Sequence, residues 1–412
     1  MESLLRPDVL LVFTYAPAGL GHLRVTDALH DGLPGGTHSV LLGAQDTRIT
    51  YWHRLMSVNP ALRGIMEWFQ LEAQQEWFSE LYIAALRATS GHLYHQMEHL
   101  IREQWHDKKV MVVLSTHFGL AHQIAAIRPR LEKNFNIKIV LVVQVTDATS
   151  MKIWFVSGAD LLVVPSVKVK KDLERFARSS HTHTEIAVLP YPLGKTLGIQ
   201  LTEEEYAQRF RQYSGDSDAM IHVVLPVSGA AVGLAYYEQF IAKLAESSGR
   251  FRMHLVISDT MHTRSFIASM KTRRAVTVVS GASDKEVVAN YEKVYGEHVI
   301  ALEIVKPSEQ SFKALLSPLQ RGGAILLFMA PIGKQEEDNL GFLTDHNLIP
   351  ERALRLTNDP EKDVAFINQC IRDGIFSRMA DKESFHSKDP ELAGNGVTQF
   401  WEKVDMLVQK IR

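Results

Sequence analysis

The chain has 412 residues, 46% hydrophobic and 22% charged, with a formal net charge of −2; that length favours two or three domains, and the near-neutral balance gives no reason to expect nucleic acid as a partner. A single cysteine, Cys370, excludes an intramolecular disulfide framework and a cysteine-rich zinc site, and fits a reducing compartment. Arg6, Pro7 and Asp8 precede a run of only five apolar residues, which does not read as a signal peptide, and no stretch approaches the ~18–20 apolar residues that span a bilayer. The expected location is therefore the cytoplasm, with any membrane contact peripheral at its inner face.

Val9–Phe13 carries no polar side chain, the pattern of a strand covered on both faces. It runs into Thr14-Tyr-Ala-Pro-Ala-Gly19-Leu-Gly21-His22. Gly19 and Gly21 permit a sharp turn and close backbone approach, and a helix is expected from His22 to Leu33. Further strands are predicted at Ser39–Leu42, Val110–Ser115, Lys138–Val143, Leu161–Pro165 and Glu185–Leu189. Helical periodicity lies between them, as at Gly119–Arg128 and Val167–Arg178. A second series follows at Ile221–Pro226, Met253–Ser258, Val276–Val279, Val299–Ile304 and Ala324–Met329. Helices are expected between these at Leu234–Ser247 and Lys285–Tyr295. Strand–helix alternation throughout predicts two tandem doubly wound α/β units, each a parallel sheet with helices on both faces.

Turn chemistry at Leu189-Pro-Tyr-Pro-Leu-Gly194, a charged helix at Leu201–Tyr213 and the polar stop Ser214-Gly-Asp-Ser-Asp218 set the break near 195–218. The units are thus expected at 1–200 and 215–385. Residues 386–412 add an amphipathic helix, Val397–Ile411, available to pack back on the first unit. Residues 50–106 interrupt the alternation with helical stretches bearing Trp52, Trp68, Phe69, Trp77, Phe78, Tyr82, Tyr94 and Trp105. Such a segment reads either as part of a cleft for an apolar acceptor or a membrane-facing patch, or as a helical pair packed on the first sheet. His92, His95, His99 and His106 share one helical face. Lacking further ligands at matching spacing, they read as a solvated face rather than a metal site.

Four local patterns in order resemble one family. They are Thr14-x4-Gly19-Leu-Gly-His22; Ser115-Thr-His117 after a strand; Val145-Thr-Asp147 with Trp154 and Gly-Ala-Asp160-x4-Pro-Ser166; and Lys306-Pro307 with Pro331-Ile-Gly-Lys-Gln-Glu-Glu-Asp-Asn339. Together they resemble the monogalactosyldiacylglycerol synthase and processive diacylglycerol glucosyltransferase group, relatives of the bacterial lipid-intermediate N-acetylglucosaminyltransferase. The resemblance covers most of residues 9–345. It implies a GT-B fold, two Rossmann-like domains facing a cleft, and a hexosyltransferase-type enzyme. The N-terminal domain would take a lipid (diacylglycerol-like) or other hydroxyl acceptor. The C-terminal domain would take a nucleotide sugar, a UDP-sugar in the family. Transfer would invert the anomeric centre with neither metal nor cofactor.

Inverting transfer needs a base for the acceptor hydroxyl and stabilisation of the departing diphosphate. His22 matches the family's Gly-x-Gly-His histidine as base or acceptor-orienting group; the plainer reading is a helix cap or packing group. Asp147 either serves as base, orients His22, or caps the stretch Ala148–Trp154. His117, with Gly19 and Gly21, belongs to the acceptor side, or is an ordinary loop histidine. In the second unit, Ser228, Gly229 and Gly233 lie in a strand-to-helix loop where phosphate can meet backbone N–H groups, or form a plain turn. Lys306, Gln335, Glu336 and Asn339 align with the family's donor-binding residues; a solvated charged loop is the alternative for 331–339. The chain departs from the family at Ser308 and Glu309, where Lys-Pro-Gly-Gly is usual, and at Ala314, where a glutamate holds the ribose. Those departures keep open a second class of function, a degenerate protein that binds a ligand or partner without turnover. A nucleotide-sugar epimerase of the same architecture gets no support from the Thr-Asp and Gln-Glu stretches.

Overall fold

Eleven predicted strands become two parallel sheets. The computed structural model describes residues 1–15, 20–43, 72–104, 108–180, 184–227, 231, 233–331, 333–349, 355–381, 392 and 395–411. The chain divides into two compact units. One comprises residues 1–18, 22–192 and 390–412, and the other comprises 19–21 and 193–389.

The first unit holds β1 (Val9–Tyr15), β2 (Ser39–Gly43), β3 (Val110–Ser115), β4 (Lys138–Gln144), β5 (Leu161–Val164) and β6 (Glu185–Val188). All pairs are parallel, in the order β2-β1-β3-β4-β5-β6. The runs without polar side chains are the interior strands, because both faces there lie under helices: Val9–Phe13, Val110–Leu114 and Ile139–Val143 are buried throughout. The helices are α1 (Leu20–Asp31), α2 (Glu72–Ala88), α3 (Gly91–Gln104), α4 (Phe118–Phe135) and α5 (Val167–Ser180). Helices α2 and α3 pack on α4. Leu93, Tyr94, Met97, Leu100 and Ile101 of α3 join the core, and Arg130 stacks over the Tyr94 ring at 4.1 Å. Leu81 and Tyr82 of α2 are exposed. Trp52, Trp68, Phe69 and Trp105, and the side chains of Trp77 and Phe78, lie outside the described residues.

A C-terminal helix, Gly396–Gln409, belongs to this same unit. Trp401 is fully buried; its indole N–H donates to the Leu29 carbonyl at 2.9 Å, and its ring meets Phe13 edge-on at 6.0 Å. A Cβ on Gly32 would stand 2.0 Å from Val397 Cγ1, so this approach to α1 needs glycine there.

The second unit holds β7 (Ile221–Pro226), β8 (Phe251–Ser258), β9 (Val276–Gly281), β10 (Leu302–Val305) and β11 (Ile325–Phe328), parallel in the order β11-β10-β7-β8-β9. Its helices are α6 (Lys195–Gly198), α7 (Glu203–Tyr213), α8 (Leu234–Ser247), α9 (Arg264–Lys271), α10 (Asp284–Glu297), α11 (Lys334–Asp345), α12 (Pro360–Arg372) and α13 (Ile375–Met379). Thr202 and Glu205 form a reciprocal capping box at the start of α7. Strand β10 begins at Leu302 rather than Val299. Val299–Ala301 are buried as the chain approaches the sheet, so the apolar run extends past the ladder.

A buried ionic cluster fixes the segment after β10. Residues Glu309–Leu315 form a 3-10 helix. From it Lys313, 1% exposed, reaches Glu303 of β10, 0% exposed, and contacts both Glu303 Oε2 and the Tyr291 hydroxyl. The hydroxyl of Tyr291 donates to the same carboxylate oxygen at 2.9 Å, and that of Tyr295 also donates to it. Burial, reinforced by the Glu303 charge, pushes the Tyr295 hydroxyl far above its ordinary range.

In both sheets the strand order reverses beside the first strand of the unit. Chain order leaves β1 for β2 on one side and then crosses to β3 on the other; in the second unit it leaves β7 for β8 and β9, then crosses to β10. Open α/β sheets bind ligands at the carboxyl ends of the strands flanking such a reversal. No helix among the described residues is long and apolar enough to cross a membrane.

Candidate functional site

His22, His117 and Asp147 meet within the first unit at its reversal point. His22 lies in the first turn of α1, after β1, and is not the cap residue. Its Nδ1 stands 2.7 Å from the Thr116 carbonyl, just beyond β3. A carbonyl only accepts, so Nδ1–H donates, and the lone pair of the neutral ring sits on Nε2. The segment is fastened reciprocally: the hydroxyls of Thr26 and Thr116 both donate to the His22 carbonyl, at 2.8 and 3.1 Å.

Asp147 is buried beyond the end of β4. The Thr146 hydroxyl donates to Asp147 Oδ2 at 3.2 Å and lies 3.3 Å from His22 Nδ1. Thr146 thus stands between the imidazole and the carboxylate. Its carbonyl accepts from the Tyr191 hydroxyl at 2.8 Å, which holds the turn in place. No helix starts directly after Asp147: the 3-10 helix Lys152–Trp154 begins later, with Met151 at its cap.

His117 does cap a helix. Its Nδ1 accepts from Leu120 N at the start of α4. Its ring also meets that of His22 edge-on at 5.0 Å. Phe118 and Trp154 complete an aromatic wall, Phe118 stacked on His117 at 4.8 Å and Trp154 6.2 Å from His22. Such walls suit an apolar or ring-shaped ligand. Gly21 stands beside His22 in the first turn of α1, and Gly19 lies outside the described residues.

Candidate donor residues of the second unit gather at its own reversal point. Gly233 caps α8 with φ 87, a left-handed conformation suited to glycine, and Ala231 before it has φ 53. Ser228 and Gly229 lie outside the described residues. The first turn of α8 contains no acidic residue of its own. The first turn of α11, by contrast, carries Glu336 and Glu337. Of the two helix starts, α8 is the electrostatically suitable one for a phosphate. Lys306 follows β10, on the other side of the reversal. Gln335 and Glu336 are half-buried in the first turn of α11. Asn339 is fully buried, and its side-chain amide donates to the Pro307 carbonyl at 3.1 Å. It therefore fastens the Lys306–Pro307 corner to α11, a role its motif position did not reveal. Glu309 opens the 3-10 helix that Lys313 anchors, and Ala314 is half-buried on it.

The histidines of α3 remain a surface feature. His95 and His99 are exposed and pair with Glu98 and Glu103 at 3.3 and 3.2 Å. His106 lies outside the described residues.

Comparisons with known proteins place the chain by its fold. No family model and no curated protein matches it, so the resemblance to the diacylglycerol glycosyltransferases stands on its motifs. Among solved structures it is similar to S. aureus MnaA in a co-structure with UDP, at 8% identity and TM-score 0.54, covering 98% of this chain and 97% of that one. It is also similar to the UDP-GlcNAc 2-epimerase of Neisseria meningitidis bound to UDP-GlcNAc, at 11% identity and TM-score 0.54, covering 96% of this chain and 99% of that one. The class of protein this defines is the α/β fold with two parallel-sheet, Rossmann-like domains, as in the Neisseria epimerase.

Proposed function

We propose that this chain is an inverting glycosyltransferase that moves a sugar from a UDP-sugar to a lipid, diacylglycerol-like, or other hydroxyl acceptor. The observation that carries the reading is the His22 arrangement. An imidazole at a sheet reversal donates from Nδ1 to a backbone carbonyl, keeps its lone pair on Nε2, and lies next to a buried threonine–aspartate pair. In the proposed reaction Nε2 accepts the acceptor hydroxyl proton as the oxygen attacks the anomeric carbon. The bond to the diphosphate oxygen breaks, and the configuration inverts. Asp147 stabilises the imidazolium through the Thr146 hydroxyl. The start of α8 at Gly233, with Lys306, holds the departing diphosphate. Gln335 and Glu336 accept hydrogen bonds from sugar hydroxyls. Exposed Leu81 and Tyr82 and the aromatic wall at His117 support an apolar acceptor, presented at a membrane surface.

Calorimetric titration with UDP and other nucleoside diphosphates is the first test. No binding at millimolar nucleotide would sink the donor reading. With binding established, the full chain is incubated with UDP-sugars and diacylglycerol in anionic vesicles. Transfer is expected, with kcat/KM falling roughly 10²–10⁴-fold in His22→Ala at unchanged UDP affinity. The same assay looks for 2-epimerised UDP-GlcNAc, the activity in the name of the Neisseria neighbour. Ser308, Glu309 and Ala314 favour one second reading, a binding protein without turnover; UDP binding with no product from any donor would establish it.

A further inference from the structure

Three histidines far apart in sequence converge in the second unit, away from the residues discussed above. His222 is in β7, His254 is in β8, and His298 caps the carboxyl end of α10. Register pairs His222 with Arg252 and Val224 with His254, which puts both imidazoles on one face of the sheet. The His298 N–H donates to the Val294 carbonyl, and three residues later Ala301 N donates to the His222 carbonyl, each at 3.0 Å. The chain leaving α10 is thereby tied beside His222.

The rings are close enough to share one ion. His222 Nδ1 and His254 Nε2 are 2.9 Å apart, and one ligand nitrogen from each of the three lies within 4.8 Å of the others. A tetrahedral zinc with bonds of about 2.0–2.1 Å holds its nitrogen ligands about 3.4 Å apart. Closing the remaining gap takes a rotamer adjustment of His298, which is half-buried. His254 is only 3% exposed, and the nitrogen it turns toward His222 is Nε2. Arg252, on the same face of the sheet, donates to the Gly249 and Phe251 carbonyls.

We propose that His222, His254 and His298 form a site for an imidazole-preferring divalent cation, zinc first, with water as fourth ligand on the half-buried side. All-imidazole donors favour zinc, copper or nickel over calcium or magnesium. His222 lies at the amino end of β7, whereas Gly233 and Lys306 lie beyond the carboxyl ends of β7 and β10. The site is therefore apart from the proposed donor residues. It joins the end of α10 to the sheet and does not depend on the glycosyltransferase reading.

The test uses the full chain, stripped with a chelator and titrated with zinc against a chromophoric competitor. Wild type is expected to take one zinc per chain and to melt at a higher temperature when loaded. Affinity falls at least about tenfold in His222→Ala and in His298→Ala, and is unchanged in the α3 surface variant His95→Ala/His99→Ala. Cobalt(II) in place of zinc gives the intense ligand-field absorption of a four-coordinate ion, lost in the same cluster variants. No zinc uptake at micromolar concentrations, or uptake that survives His298→Ala, overturns the proposal. His298 sits at a half-buried helix end, so that variant carries the test if His222→Ala fails to fold.

Discussion

Replacing Lys313 by methionine removes one partner of a buried ion pair while keeping most of the aliphatic stem. Lys313 and Glu303 are 1% and 0% exposed, so solvent screening is slight. Glu303 Oε2 would retain only the Tyr291 and Tyr295 hydroxyls, and Glu303 Oε1 already has no partner. Breaking such a pair leaves an uncompensated buried charge, at a cost of about 3–5 kcal/mol. That is a large part of a typical domain's stability of about 5–15 kcal/mol, and at about 2–4 °C per kcal/mol it lowers the melting temperature by roughly 10 °C. A double variant, Lys313→Met with Glu303→Gln, removes both charges and keeps an acceptor for the tyrosines. It should recover most of the loss, because replacing a whole buried pair is often close to neutral. None of the six tryptophans, at 52, 68, 77, 105, 154 and 401, occurs within residues 193–389 of the second unit. Urea unfolding followed by far-UV circular dichroism should therefore lose stability while the tryptophan fluorescence transition stays in place. A loss below about 1 kcal/mol, or a double variant as unstable as the single one, would refute the argument.

Other expectations follow from the same physical terms. His122 is fully buried, its Nε2–H donates to the Ile153 carbonyl at 2.9 Å, and burial pushes its pKa down to about 4. An unfolded histidine titrates near 6.5, so the unfolded state binds the proton first. Stability from this residue is full above about pH 6.5 and drains away, by on the order of 3 kcal/mol, as pH falls towards 4. Urea titrations of His122→Gln at two pH values should show a shallower acid loss than wild type. Thr146→Val removes the hydroxyl between His22 and Asp147 and should slow transfer roughly 10–100-fold without changing UDP affinity; an unchanged rate removes Asp147 from the mechanism. Gly233→Val forces a β-branched residue to φ 87, costing about 1–2 kcal/mol in a thermal melt. It should also weaken UDP binding by calorimetry, and intact binding would mean that this turn does not hold the diphosphate.

Much of the fold was legible because parallel strands buried on both faces announce themselves locally. Val110–Ser115 and Ile221–Pro226 form with the predicted limits. Where an apolar run and a ladder do not coincide, as at Val299–Ala301, burial misplaced the boundary. At the candidate site, His22, His117 and Asp147 could each be read as residues at strand ends. Which atom of His22 donates, and the interposition of Thr146, could not, because Thr116 and Thr146 lie about a hundred residues further on. Asn339 looked like a sugar-binding residue and turns inward to Pro307. Lys313 gave no sign of its buried partner.

By itself, then, the sequence determined the two parallel-sheet units and the strand ends at which chemistry can occur, since hydrophobic periodicity and glycine turns act over a few residues. Only the tertiary structure decided which of those ends meet, and it alone assembled His222, His254 and His298 across three elements. Strand order is set by crossover connections and packing over long separations, and no local spacing records it.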